Sequence, residues 1–216
     1  MFESRCERVT EVHLPEFTGL RVMMMPIVIG EVDSLPPTLN DWKTAAAVLF
    51  ASDIIHNKRR DNQGKVGYLT IDEKEVLVGQ THRRAGLHID GGRGKGWGGG
   101  SGGWAHSSTG MLTVSNIEGC HAWLQDFDGE PGDEGNCEHL RSQLKDGARV
   151  IFHPNVVYWA SGHCVHESIP QPVSVKRQFV RLSLPSDAPW FEGYTENPLG
   201  IKPTGEILPR REYMDA

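Results

Sequence analysis

Apolar and polar positions along the chain change period several times, and each change marks an element. Leu20–Ile29, "LRVMMMPIVI", is an apolar run of strand length, with Pro26 tolerable only at an edge or a bulge. Pro36–Ile55 opens with prolines and then repeats Trp42, Ala45, Ala46, Leu49 and Phe50 at helical spacing. In Gly67–Val78 the period drops to two around the charged "DEKE", which predicts a hairpin. Strands are predicted at Met111–Ile117, Cys120–Phe127, Arg149–His153, Val156–Ala160, His163–Ser168 and Lys176–Leu184, with a turn and a short helix (Cys137–Leu144) inside Gly129–Ala148.

Close-spaced strands behind one helix predict a mainly β fold with flanking helices, a double-stranded β-helix of the jelly-roll, cupin-like kind. The expected organisation is a single domain. Residues 1–66 would provide N-terminal strand and helix support, about 67–185 the jelly-roll core, and 186–216 a Pro-rich tail that wraps the surface or stays partly mobile.

Composition narrows the function. The chain has 216 residues, 38% of them hydrophobic, enough for one core. A net charge of -6 and a pI near 5.9 disfavour a nucleic-acid partner, and "NKRR" and "THRR" read as short solvated clusters. No apolar run reaches the roughly 20 residues of a membrane span, and the N-terminus lacks the pattern of a secretory signal. Four cysteines without a Cys-x-x-Cys pair suit a reducing, cytoplasmic setting, and the Cys/His proximities do not fit a closed zinc site.

The chemistry gathers around "GLHID". His88 and Asp90 alternate on one strand and so point the same way, as two ligands of a facial 2-His-1-carboxylate triad would. His166 in "HCVHES" is the best third ligand, ahead of His163 and His153. Further on, "KRQFVRLSL" places Arg177 and Arg181 on one face with Ser183 beyond them. Arginine is the residue that grips a carboxylate in a two-toothed fork.

Together "HID", "HES" and "RQFVRLS" resemble the Fe(II)/2-oxoglutarate-dependent dioxygenases, and the spacing of the arginines resembles the taurine-dioxygenase type. The resemblance spans roughly residues 69 to 184. It implies Fe(II) on His88, Asp90 and His166, and 2-oxoglutarate as co-substrate on Arg177, with Arg181 the alternative anchor. The implied reaction consumes O2, releases succinate and CO2, and most commonly hydroxylates a C–H bond; the acidic chain and the second arginine point to a small polar substrate. A carboxylate at Asp90 argues against halogenation, for which the family uses a small residue there.

Other positions carry weaker expectations. Ser183 and Asn116 could hydrogen-bond the co-substrate, whereas Trp123 fits a core position better than a substrate platform. The glycine-rich stretch after Asp90 lacks a P-loop ending and suits a lid, with Trp97, Trp104 and Arg93 or Lys95 meeting substrate, or else a plain surface loop. The short N-terminal region leaves a homo-oligomer open as a source of substrate contacts. Two further readings compete: a cupin-like metal-binding jelly roll that does not use 2-oxoglutarate, and a non-catalytic binding protein on the same barrel.

Overall fold

The computed structural model describes residues 1–57, 61–90, 110–185, 190–205 and 207–208. Among the described residues thirteen strands follow in chain order: β1 (Phe2–Glu3), β2 (Cys6–Glu11), β3 (Arg21–Val28), β4 (Val66–Val76), β5 (Met111–Ser115), β6 (Cys120–Trp123), β7 (Asp126–Phe127), β8 (Arg149–Ile151), β9 (Val156–Ala160), β10 (Val165–Ser168), β11 (Val175–Ser183), β12 (Trp190–Phe191) and β13 (Ile207–Leu208). The α-helix α1 (Lys43–Asn57) lies between β3 and β4.

Eleven of the strands form antiparallel sheets. The large sheet has the order β2-β9-β5-β11-β4-β3 and the small one β10-β6-β8, while β12 and β13 form a separate parallel pair. Alternation along β11 explains how the large sheet works. Val180 and Leu182 join Leu69, Ile71, Leu112 and Val157 in a core covered by Ala45, Leu49 and Phe50 of α1. Arg177, Phe179 and Arg181 turn to the opposite face and line a cavity. A strand buried on both faces can carry such polar side chains only where something other than solvent awaits them.

The two sheets meet through Met111 and Ala160 of the large sheet and Ala122 of the small one, packed with Cys6 and Cys164. Beyond this contact lies the cavity, about 780 Å³ including solvent at its mouth. Behind the small sheet, Trp123, Phe127 and Val165 pack on Leu87, Ile89, Cys137 and Leu140. No helix among the described residues is long and apolar enough to cross a membrane.

Several elements depart from the sequence expectations. Gly67–Val78 is not a hairpin: β4 runs through "DEKE" unbroken and pairs with β11 from Tyr68 to Val76. The first two charges are met inside the fold, since Arg83 donates to Asp72, while Thr18, Leu20 and Gln178 donate to Glu73; Lys74 and Glu75 are exposed. Cys120–Phe127 divides into β6 and β7, which join different sheets. The helix expected over Pro36–Ile55 begins as a 3-10 segment at Pro37–Trp42, and the one at Cys137–Leu144 is a 3-10 turn over Glu138–Gln143. N-terminal strands β2 and β3 are the two edges of the large sheet, so residues 1–66 build the sheet as well as support it. Pro26 does sit on an edge strand, just after a register shift between Val22 and Met25. Tail residues Thr195 and Asn197 bond to the β3 backbone and cover that edge.

Candidate metal centre

His88 and His166 are brought together by backbone pairing. Each donates its N–H to the other's carbonyl at 2.9 Å, so Leu87–Ile89 extends the small sheet beside β10. The far side of this short segment is held by Gly135 and Cys137. Alternation then turns Leu87 and Ile89 into the core behind the sheet and His88 and Asp90 toward the cavity.

Ligand atoms of His88, Asp90 and His166 all lie within 4.8 Å of one another, the one such cluster among the described residues. His166 Nε2 is 3.9 Å from Asp90 Oδ2. Metal bonds of about 2.1 Å at right angles put donors about 3 Å apart, so side-chain movements of an ångström or so would close the set on an ion. The imidazoles are already oriented. His88 Nδ1–H donates to the Gly86 carbonyl at 2.7 Å and His166 Nδ1–H to the Cys164 carbonyl at 2.9 Å. A carbonyl only accepts, so both protons sit on Nδ1 and both Nε2 lone pairs are available to a cation. Burial, with His166 alongside, holds His88 down to about 3, which keeps it neutral at physiological pH. For Asp90 burial acts upward, but the Arg181 guanidinium outweighs it and holds the carboxylate well below its ordinary range, so it stays ionised. Two imidazole Nε2 atoms and one carboxylate fit a divalent ion.

The two arginines part company. Arg181 donates from Nη1 to Asp90 Oδ2 at 3.0 Å and from Nη2 to the Met24 sulfur at 3.2 Å. Met24 is fully buried, with φ at 51°, a left-handed backbone rare for a non-glycine residue and costing about 1–3 kcal/mol. It belongs to the β3 irregularity that turns its thioether to the guanidinium. Arg181 is thus engaged with a metal-ligand candidate.

Arg177 is not so engaged. Among the described residues it is the largest fully buried side chain, 1% exposed. Its Nε donates to Ser115 Oγ at 3.1 Å, while Nη1 meets no acceptor. Burial lowers its pKa to about 10, so it remains charged near neutral pH. The guanidinium lies so close to Gly119 that a Cβ there would fall 2.4 Å from Arg177 Cζ. Only glycine leaves this seat open.

The remaining expected residues lie elsewhere. Ser183 is buried with its hydroxyl toward the Met24 sulfur, and Asn116 ties the Lys176 carbonyl to the Gln178 amide, so neither lines the cavity. Trp123 is in the core behind the small sheet. Arg93, Trp97 and Trp104 lie outside the described residues. All four cysteines are free thiols; Cys120 and Cys137 are pushed up to about 12 by burial and so stay neutral.

Contributions from Ser115, Gly119 and Met24 escaped sequence reasoning, because each depends on a partner far along the chain. "THRR" read as a solvated cluster, yet Arg83 and Arg84 line the cavity and His82 is buried behind it. A weak signal existed: the pair stands only a few residues before His88. No protein family, curated protein or solved structure matches the chain.

Proposed function

We propose that the protein is a metal-dependent oxygenase on a jelly-roll barrel, with Fe(II) on His88, Asp90 and His166 and 2-oxoglutarate as co-substrate. The observation that carries this reading is Arg177, a charged guanidinium sealed in the same cavity as the triad with Nη1 lacking an acceptor. A buried unpaired cation costs several kcal/mol, and a carboxylate ligand removes that cost. Iron and 2-oxoglutarate would supply the oxidant for a C–H bond of a small polar substrate, with O2 consumed and succinate and CO2 released.

The chain's own residues do the rest. His88 and His166 hold their protons on Nδ1 and direct Nε2 at the metal. Arg181 fixes Asp90 and balances its charge. Ser115 and Gly119 seat Arg177, which orients the co-substrate through its far carboxylate. Apolar lining such as Phe152, Val156 and Phe179 excludes water.

Calorimetric titration of 2-oxoglutarate into the Zn(II)-loaded protein, a redox-silent form, tests the reading. Binding is expected to require the metal and to be lost in Arg177→Ala. If Zn(II) binds but 2-oxoglutarate does not, the barrel is a metal site of another chemistry.

A further inference from the structure

Strand β3 carries an extra residue beside Arg181. Val22 stands opposite Ile71 and Met25 opposite Leu69, so Met23 and Met24 together face Thr70 alone. Such a bulge re-aims a side chain, and here Met24, with its backbone at φ 51°, turns inward. Its sulfur accepts from Thr70 Oγ1 at 3.1 Å and from Arg181 Nη2 at 3.2 Å. Arg181 Nη1 in turn holds Asp90 Oδ2 at 3.0 Å. The bulged residue is thus two contacts away from a metal-ligand candidate.

A bulge on an edge strand needs support of its own. Reverting to a regular ladder would relieve the left-handed backbone, and a slip of one position turns alternate side chains of β3 to the opposite face. Met24 would then leave the guanidinium. Two threonines oppose that slip. From the β4 side, Thr70 Oγ1 accepts the Met24 N–H at 3.2 Å. On the open side, Thr195 of the tail takes both backbone groups of Met23. The Met23 N–H donates to Thr195 Oγ1 at 2.8 Å, and the Thr195 N–H donates to the Met23 carbonyl at 2.7 Å. Tyr194, next in the chain, packs on the cluster of Met24 and Tyr68. Asn197 secures the same tail beyond the bulge by donating to the Pro26 and Ser34 carbonyls.

We infer that Thr195 is a positioning residue of the metal centre: by clamping the β3 bulge from outside, it keeps the Met24 sulfur on Arg181 and so fixes the carboxylate of Asp90. This rests on the metal-centre part of the function proposed above and uses no property of the co-substrate.

Thr195→Val keeps the side-chain shape and removes the hydroxyl, Thr195→Ser restores it, and Met24→Leu removes the sulfur at the inner end. Each variant is compared with the wild type in two ways. Zn(II) affinity is read by competition with a chelator. NMR of metal-free protein labelled at methionine methyls and arginine nitrogens reads the Met24 methyl and the Arg181 Nε–H. Thr195→Val should shift both signals and weaken Zn(II) about threefold or more. Met24→Leu should weaken it about tenfold, the usual effect of losing a contact that orients a ligand. In Thr195→Ser the signals and the affinity should return to wild-type values. A threonine that only covers the sheet edge would lower stability toward urea yet leave the Arg181 signal and the Zn(II) affinity of the folded protein unchanged, and that result overturns the inference. Unchanged Zn(II) affinity in Met24→Leu overturns it as well. Should the wild type bind no Zn(II), the functional reading falls by itself. The clamp is then decided by NMR alone, where an Arg181 signal indifferent to Thr195→Val would refute it.

Discussion

Replacing Arg177 by methionine should make the protein more stable and useless for co-substrate binding at once. Methionine has similar length and no charge, so it fills the same seat beside Gly119 and Ser115. The native guanidinium is 1% exposed, and burial takes its pKa from 12.5 to about 10. That corresponds to a penalty on the charged form of about 3 kcal/mol. Against it stand the charge-assisted hydrogen bond to Ser115 Oγ, about 1.5 kcal/mol, and the contact with the Phe179 ring, about 0.5 kcal/mol. The net expectation for Arg177→Met is a gain of about 1 kcal/mol, or a rise in Tm of about 3 °C for a chain of this size. Urea and thermal unfolding of the metal-free protein measure the gain, and 2-oxoglutarate titration of the Zn(II) form measures the loss. A variant that loses stability while still binding 2-oxoglutarate would refute the reasoning, because Arg177 would then be a structural residue.

Three further outcomes follow from the same geometry. Gly119→Ala places a methyl 2.4 Å from Arg177 Cζ and must displace the guanidinium by about 1 Å, so 2-oxoglutarate affinity should fall about tenfold or more while Zn(II) affinity is kept. Glu138 accepts the Leu87 N–H at 2.5 Å and binds Arg141, which reaches Glu167 beside His166; Glu138→Ala should therefore lower metal affinity by about tenfold, read by competition with a chelator. The metal-free fold should weaken on mild acidification. His88 stays neutral down to about 3, whereas in the unfolded chain it takes up a proton near its ordinary value, so stability is full above about pH 6.5 and lost as pH falls toward 3. Between pH 7 and pH 5 His88 alone contributes a loss of about 2 kcal/mol, and His82 and His163, also lowered by burial, act in the same direction. Urea unfolding at the two pH values checks this, with a smaller difference expected for His88→Asn.

What could be read from the sequence was what repeats locally. Period-two alternation put His88 and Asp90 on one face, and it put Arg177 and Arg181 together on β11; both placements agree with the structure. Helical spacing found α1, though its start lies in a 3-10 segment. Long-range compensation was not legible. Asp72 and Glu73 look like turn residues until Arg83, Leu20 and Gln178 are seen to satisfy them. The different roles of the two arginines also depend on partners remote in sequence, Asp90 and Met24 for one, Ser115 and Gly119 for the other. β1 and β2 carry mixed charges and became strands through pairing with β7 and β9.

Joint binding of Fe(II) and 2-oxoglutarate in this cavity is read from the anaerobic visible spectrum of the protein with both added. A weak charge-transfer band is expected that needs both additions and is absent from His88→Ala and Arg177→Ala. Iron that binds without such a band, or a band that survives Arg177→Ala, would contradict it.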